Sequence, residues 1–474
     1  MRFVYAWFKD SAGTSNTSPY LAAITLDTTP PSDGTITATA GNEQASLSWS
    51  GFSDATSGIS SYRLVYSTSG TPDSCLSGAN IYSGSETSYT HTGLTNGTIY
   101  YYRVCATDNA ENASIGSDVS AMPSVGFALS GIMTNVRYVH QATRLTDGRV
   151  LVTGGVGISG AMDSAEIYDS STGTFSQIGN MNMPRFSHTA TLLSNGKVLI
   201  VGGRNNTGVN NASSYLSSAE LYDPVIGTFS YTGGMSISRQ LHTATLLQNG
   251  KVLITGGAID WNTSGGATDI AEIYDPTTGT FSRTGNLLKG NFFHTATLLD
   301  NGKVLISGGI NSSAYVTDEL YDPSTGTFTA TGSMSRRRYY HAATKLSDGK
   351  VLITGGGDGT TASLQTAEVY DPATGTYSLV GNMNHRRNYH TSTLLSNGKV
   401  LITGGLDETG GNIVLNSAEI YDPATGTFST TVNMADKRYL QTATPLIEGT
   451  VLIVGGDSGS GYLKSSELYF PRLP

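Results

Sequence analysis

Beyond residue 140 the apolar residues come in short unbroken runs: Val150-Leu-Val-Thr153, Val198-Leu-Ile-Val201, Val252-Leu-Ile-Thr255 and four more like them. A run with no polar alternation predicts a strand covered on both faces. Each run ends in a double glycine, from Gly154-Gly155 to Gly455-Gly456, and each starts after a glycine turn. Six of the seven turns are Asn-Gly or Asp-Gly, from Asp147-Gly148 to Asn397-Gly398, and the last is Glu448-Gly449. Such pairs tolerate the positive φ of a tight hairpin, so another strand precedes each run. In the fifth copy that segment is His341-Ala-Ala-Thr-Lys-Leu. A third segment ends in Tyr-Asp-Pro, as at Tyr274-Asp275-Pro276. There proline presets φ and Gly279 supplies the left-handed residue of a turn. A fourth segment starts at Phe281.

This unit recurs with a period of about 50 residues, the scale at which a repeat means a solenoid or a propeller. Four short antiparallel strands form one propeller blade. The expected fold is therefore all-β, with a seven-bladed β-propeller over residues 123–474. The last copy stops at Leu468-Tyr469-Phe470-Pro471 without a fourth strand, and the orphan segment Gly126–Met133 resembles the fourth strand of the other copies. This segment is expected to complete the seventh blade and close the ring, leaving no open edge for other chains to pair with.

Residues 29–122 read as a separate domain. Asp27-Thr-Thr-Pro-Pro31 is a stiff linker signal. Ala45-Ser-Leu-Ser-Trp49 and Tyr62-Arg-Leu-Val-Tyr66 alternate as half-buried strands, and Tyr102, Val104 and Ala106 share one face of another. Cys75 and Cys105, the only cysteines, fall in this segment. Their placement points to a disulfide and to export; two free thiols are the alternative. Residues 1–28 echo the end of the same domain, Phe3–Gly13 aligning with Tyr101–Glu111. They are expected to be the last strands of a truncated immunoglobulin-like domain, either in a fragment of a longer chain or completed by a partner chain. No signal peptide is legible before Lys9-Asp10. The expected location is still secreted or cell-surface, with the leader lost upstream.

Composition narrows the picture. With 58 glycines and 13% charged residues, the chain is not a helical bundle or a coiled coil. No apolar run is long enough for a membrane-spanning helix. The net charge of −9 and the lack of a basic motif argue against nucleic acid as a partner.

The double glycines, the Tyr-Asp-Pro turns and the Arg-x-x-His before each first strand resemble kelch repeats of galactose oxidase-like propellers, over about 350 residues. Residues 29–122 resemble a fibronectin type III sandwich, which would make Trp49 its core tryptophan and Tyr100 its corner tyrosine. Galactose oxidase itself implies a copper site of Tyr and His residues with one Tyr cross-linked to Cys. Tyr340-His341 and Tyr389-His390 match its Tyr-His pair, but no cysteine follows Cys105, and a separate carboxy-terminal domain to donate the other His is not expected. The expectation is no cofactor, no metal and no enzymatic activity.

Histidine occupies one repeat position in six blades: His140, His188, His242, His294, His341 and His390, with Gln441 in the seventh. Arginine lies three residues earlier in six blades, and Asn291 replaces it in the fourth. Every third strand carries a glutamate, among them Glu220, Glu272 and Glu368. A catalytic centre is a single asymmetric constellation, whereas these residues recur with the blade. They are read as structural, as blade-to-blade ion pairs and buried hydrogen-bonding histidines, with Lys289 replacing the missing arginine.

Function is expected where the repeat symmetry breaks. The loops after the double glycines vary most and carry Tyr215 and Trp261. On the same face, three consecutive blades bring Arg336, Arg337, Arg338, Tyr339 and Tyr340; His385, Arg386, Arg387 and Tyr389; and Lys437, Arg438 and Tyr439. Arginine forks and tyrosine rings suit carboxylates, sulfates and sugars. The expectation is an extracellular adhesion module binding an acidic glycan or a protein partner over blades five to seven. The alternatives are a mutarotase-like sugar enzyme and a structural subunit of a surface assembly that meets its neighbours through the incomplete first domain.

Overall fold

The computed structural model describes residues 2–6, 20–24, 26–96, 98–123, 126–206, 214–259, 266–311, 317–359 and 363–471. It divides into two compact units, residues 1–124 and 125–474. Regular structure among the described residues is β, and no helix is long and apolar enough to cross a membrane.

In the first unit, Arg2–Ala6 and Tyr20–Ile24 pair as an antiparallel hairpin. A sandwich follows. One sheet holds Thr35–Gly41, Gln44–Ser50 and Ser88–Thr92; the other holds Ala79–Gly84, Ile59–Ser67, Tyr100–Asp108 and Ser117–Ala121. The alternation along Gln44–Ser50 buries Ala45, Leu47 and Trp49 and exposes the residues between them to varying degrees. Trp49 is 3% exposed and packs edge-on to Tyr62 at 5.9 Å. The Tyr100 hydroxyl accepts the Thr95 N–H at 2.9 Å, so the corner tyrosine pins the turn leading into its own strand. Cys75 and Cys105 form a disulfide.

The second unit contains seven four-stranded antiparallel sheets. Blade 1 runs Gln141–Arg144, Val150–Thr153, Ala165–Asp169 and Thr174–Gln177, and blades 2 to 6 repeat that order. Blade 7 takes Thr442–Pro445, Val451–Val454 and Ser465–Phe470 from the end of this unit and Gly126–Ile132 from its start. Second strands such as Val198–Val201 are buried at every residue, because neighbouring blades cover both faces. The first Gly of each pair is positioned by close approach: a Cβ on Gly154 would lie 2.3 Å from the Arg185 carbonyl oxygen of the next blade.

The Asn-Gly turns differ from the tight hairpin expected. Leu193 and Lys197 close a three-residue loop, with only Gly196 at positive φ. Asn195 instead accepts the Lys197 N–H through its side chain. That division of labour explains why aspartate serves equally well in blades 1 and 5.

Candidate functional site

The recurring charges are structural, but they do not join blades as expected. Arg137 pairs with Glu166, Arg185 with Glu220, Arg239 with Glu272, Arg338 with Glu368, Arg387 with Glu419 and Arg438 with Glu467, at 2.6–2.8 Å. Both members of each pair belong to one blade. Each guanidinium also donates to the carbonyl of the first double-glycine residue of its own blade, as Arg185 does to Gly202 at 2.8 Å. Such a charge is tolerable inside because both terminal nitrogens of each guanidinium find acceptors and a carboxylate balances the charge, although each Nε is buried without a partner. Arg338, Arg387 and Arg438 are therefore not ligand contacts, contrary to the sequence expectation: each is 0% exposed, its guanidinium committed to a glutamate and to backbone carbonyls.

Among these recurring polar side chains, the bonds from one blade to the next are made by the histidines. His188 Nε2 bonds Thr153 of blade 1 at 3.0 Å, His242 bonds Thr189, His294 bonds Thr243, His341 bonds Thr295, His390 bonds Thr354, and His140 closes the ring on Thr442. Gln441 makes the seventh link, donating to the Thr403 carbonyl at 2.9 Å. Burial pushes the His140, His294 and His341 imidazoles down to about 3, with neighbouring arginines adding to the effect at His140 and His341. The rings stay neutral in the folded protein near neutral pH.

Blade 4 breaks the pattern. Asn291 reaches only the Gly308 carbonyl, at 3.3 Å. Glu319 lacks an arginine fork; it accepts the Leu288 N–H at 2.8 Å and is drawn down by the Lys289 N–H and charge. Burial outweighs these and raises its carboxyl above the usual range. The neighbouring position, alanine in five blades, is Asp318 here, 1% exposed. Asp318 accepts the Gly308 N–H at 3.0 Å and the Tyr377 hydroxyl proton. Tyr377 stands where other blades have phenylalanine. Burial pushes the Asp318 carboxyl up to about 8.

At the propeller axis, the residue before each of the six repeat histidines and before Gln441 adopts left-handed backbone: Val139, Ser187, Leu241, Phe293, Tyr340, Tyr389 and Leu440, with φ from 52° to 58°. Six backbone hydrogen bonds of 3.1–3.4 Å run around this ring, from Val139 N–H on Leu440 through to Leu440 N–H on Tyr389. None of the seven is glycine, so each pays about 1 kcal/mol or more for that conformation, and the ring of bonds holds it there. The side chains line a cup of about 490 Å³ together with Phe186, Arg204 and Gln240. One arc is aromatic: Phe293 and Tyr340 have centroids 3.6 Å apart, Tyr340 and Tyr389 3.7 Å. Burial raises both tyrosine pKa values, keeping the phenols protonated.

Arg204, which the sequence reading did not single out, is 7% exposed. Its guanidinium carbon lies 5.9 Å from the Phe186 ring centre and 5.8 Å from that of Tyr215, and its Nε donates to Ser214 at 3.1 Å. A signal was available. The equivalent residues after the double glycine, each bridged to the segment before the ring, are Val156, Ala258, Ile310, Gly357, Leu406 and Asp457. Only blades 2 and 7 place a charge there.

The other expected contacts divide. Arg336, Arg337, His385 and Lys437 are exposed. Arg386 is half-buried and donates to the Ser363 carbonyl at 3.3 Å. Tyr339 is half-buried against Tyr340, and the Tyr439 hydroxyl donates to Asp457 at 3.2 Å. Tyr215 is 5% exposed and stands behind Arg204. Trp261 lies outside the described residues.

Comparison with known proteins agrees with this architecture. A fibronectin type III domain model matches residues 29–119, and a kelch motif model matches residues 185–236, 337–384 and 387–435. No curated protein matches. Among solved structures, a fungal alcohol oxidase of the AA5 family, determined with copper, aligns with a TM-score of 0.61 at 20% identity, over 73% of this chain and 77% of the other. That likeness is one of fold. A copper centre of the Tyr, His and Tyr-Cys type does not fit the residues here. Both cysteines are joined to each other in the sandwich. His341 and His390 are sealed between blades on threonine hydroxyls, and no histidine lines the cup. Among the described residues, no three His, Cys, Asp or Glu donors converge in the propeller.

Proposed function

From a chain that is a fibronectin type III domain joined to a kelch-repeat propeller, we infer an exported, non-enzymatic binding module whose loop face grips an acidic glycan. One observation carries this reading. Seven-fold repetition fixes most of the propeller, yet the axial ring varies from Val139 and Ser187 to Phe293, Tyr340 and Tyr389, and opens a cup. A residue under structural constraint alone would repeat like the histidine beside it. Aromatic walls suit the apolar faces of sugar rings, and the exposed Arg336, Arg337 and Lys437 on the same face add positive charge for an anionic chain. The disulfide fits an oxidising compartment.

A glycan array probed with the full chain tests the reading. Acidic glycans are expected to bind, and the double variant Arg337→Ala, Lys437→Ala is expected to weaken binding and flatten its salt dependence. These two side chains are chosen because neither forms part of the buried framework. Retention of acidic glycans by the double variant with an unaltered salt dependence removes the rim from the proposal.

A further inference from the structure

We propose that the seam between blades 5 and 6 is a subsite for a neutral sugar unit, with Tyr339, Tyr340 and Tyr389 against the apolar face of its ring and Glu408 accepting its hydroxyl protons. The proposal deepens the loop-face reading above and rests on it: the ligand becomes a chain in which neutral units accompany acidic ones.

The three rings form a continuous platform. Tyr339 and Tyr340 belong to blade 5 and Tyr389 to blade 6; the first two ring centroids lie 5.3 Å apart and the last two 3.7 Å. Gly357 makes room for the first ring, since a Cβ there would lie 2.9 Å from the Tyr339 side chain. No other blade has glycine at that position. Tyr340 and Tyr389 also line the axial cup. The fold does not require aromatic side chains there, because the same left-handed position holds Val139, Ser187, Leu241 and Leu440 in other blades.

Glu408 is fixed beside this platform. It follows the short strand Leu406–Asp407, which pairs with Ile413–Val414. Leu406 exchanges both backbone bonds with Asn388, the residue before Tyr389, at 2.9 and 3.0 Å. The Glu408 N–H donates to the Ser363 hydroxyl of blade 5 at 3.1 Å, and that hydroxyl donates to the Leu406 carbonyl at 3.1 Å. The backbone of Glu408 is thus clamped to both blades. Its side chain is half-buried and, among the described residues, makes no hydrogen bond or ion pair. Burial first, and the Glu408 charge after it, raise the phenol pKa values of Tyr339, Tyr340 and Tyr389, so the carboxylate is near enough to be felt by all three.

Charge then selects the ligand. A half-buried carboxylate without partners is stabilised by donors, and its two oxygens can accept several. It repels an anion. A cation meets Arg386, held on the Ser363 carbonyl at 3.3 Å beside the same clamp. A neutral sugar meets neither objection: its hydroxyls donate to the carboxylate while its C–H face packs on the rings. The acidic units of the same chain are left to the exposed Arg336, Arg337 and Lys437.

The test is titration calorimetry of the full chain with oligosaccharides of equal length. Hyaluronan and chondroitin oligosaccharides alternate a uronic acid with a neutral N-acetylhexosamine; oligogalacturonate is acidic throughout. Methyl glycosides of glucose, galactose and the two N-acetylhexosamines probe the subsite alone. At least one alternating oligosaccharide is expected to bind about tenfold tighter than the acid-only one. Glu408→Ala is expected to remove that preference and to leave oligogalacturonate binding no weaker. Tyr389→Val, which installs the residue blade 1 carries in the ring, is expected to weaken the alternating ligand by about tenfold, and Tyr389→Phe by less than about twofold. If Tyr389→Val misfolds by circular dichroism, Glu408→Ala decides, because the Glu408 side chain holds nothing in the fold. Equal binding of alternating and acid-only chains, or a preference that survives Glu408→Ala, overturns the subsite. If acid-only chains bind as tightly as alternating ones and both weaken with Arg337→Ala plus Lys437→Ala, the subsite falls and the loop-face reading stands. If neutral methyl glycosides bind in a manner lost with Glu408→Ala, and the rim variant changes nothing, the acidic reading falls and the subsite stands. Binding of no probe overturns both.

Discussion

Replacing His294 with glutamine isolates what a neutral buried histidine costs in acid. The imidazole is 5% exposed, bonded to Thr243 and Thr255 at 3.0 and 3.2 Å, and pushed down to about 3 by burial alone. In the unfolded chain it titrates near the ordinary value of 6.5. Below that point the unfolded state takes up a proton that the folded state refuses, so stability falls as pH falls through 6.5 toward 3. At pH 5 the unfolded side chain is about 1.5 pH units below its titration point, and at about 1.4 kcal/mol per unit the loss is about 2 kcal/mol. Glutamine is the natural control, since Gln441 already links blades 6 and 7 from the same repeat position, through the Thr403 carbonyl, without titrating. Guanidinium unfolding of both proteins at pH 7 and pH 5 measures the effect. The Gln variant should lose about 2 kcal/mol less than wild type between the two. Parallel losses in the two proteins would refute a neutral buried imidazole. Taking the difference between proteins cancels the contributions of all other groups.

Asp318 carries the opposite sign. Its folded carboxyl, beside Ser307, Tyr377, Glu368 and Arg338, stays protonated up to about 8, so its contribution is full below the ordinary 3.8 and is lost as pH rises toward 8. Asp318→Asn keeps the Gly308 bond through its amide oxygen and meets the Tyr377 hydroxyl oxygen with its amide N–H, and should gain about 3 kcal/mol on wild type between pH 5 and pH 7, read by the same unfolding experiment. In the sandwich, Cys75 and Cys105 are 30 residues apart, and replacing both with serine should cost about 3–4 kcal/mol. Calorimetry should show the sandwich transition move down and the propeller transition stay in place.

The strands were legible because their signals are local: double glycines, Asn-Gly turns and Tyr-Asp-Pro each act within a few residues. The disulfide and the closing strand were legible for a similar reason, each being the one partner available to the other. Ion-pair partners were not. A repeat shows that Arg185 and Glu220 recur together, but every copy offers the same glutamate, so pattern alone does not say which blade's glutamate an arginine meets. The axial ring was half visible. Tyr340 and Tyr389 drew notice as aromatics, while Val139, Leu241 and Leu440 looked like ordinary hydrophobics, because left-handed backbone at non-glycine residues leaves no compositional trace. Arg204 escaped because it sits at the edge of a variable loop, where one charged residue among many polar ones carries little weight. Aligning the seven positions after the double glycine exposes it.

The shared seventh blade has a consequence in time. Ser466 bonds the Gly131 carbonyl across 335 residues of chain. On a ribosome making about 5–20 residues per second, the strand at Gly126–Ile132 waits roughly 17–70 s for its neighbour at Ser465–Phe470 to be made. During that interval the early blades can stack one on the next, but the ring stays open, with exposed strand edges at both ends. Synthesis of this protein therefore includes a window in which a nearly finished propeller is at its most adhesive toward copies of itself, and the strand Ser465–Phe470 is what ends it.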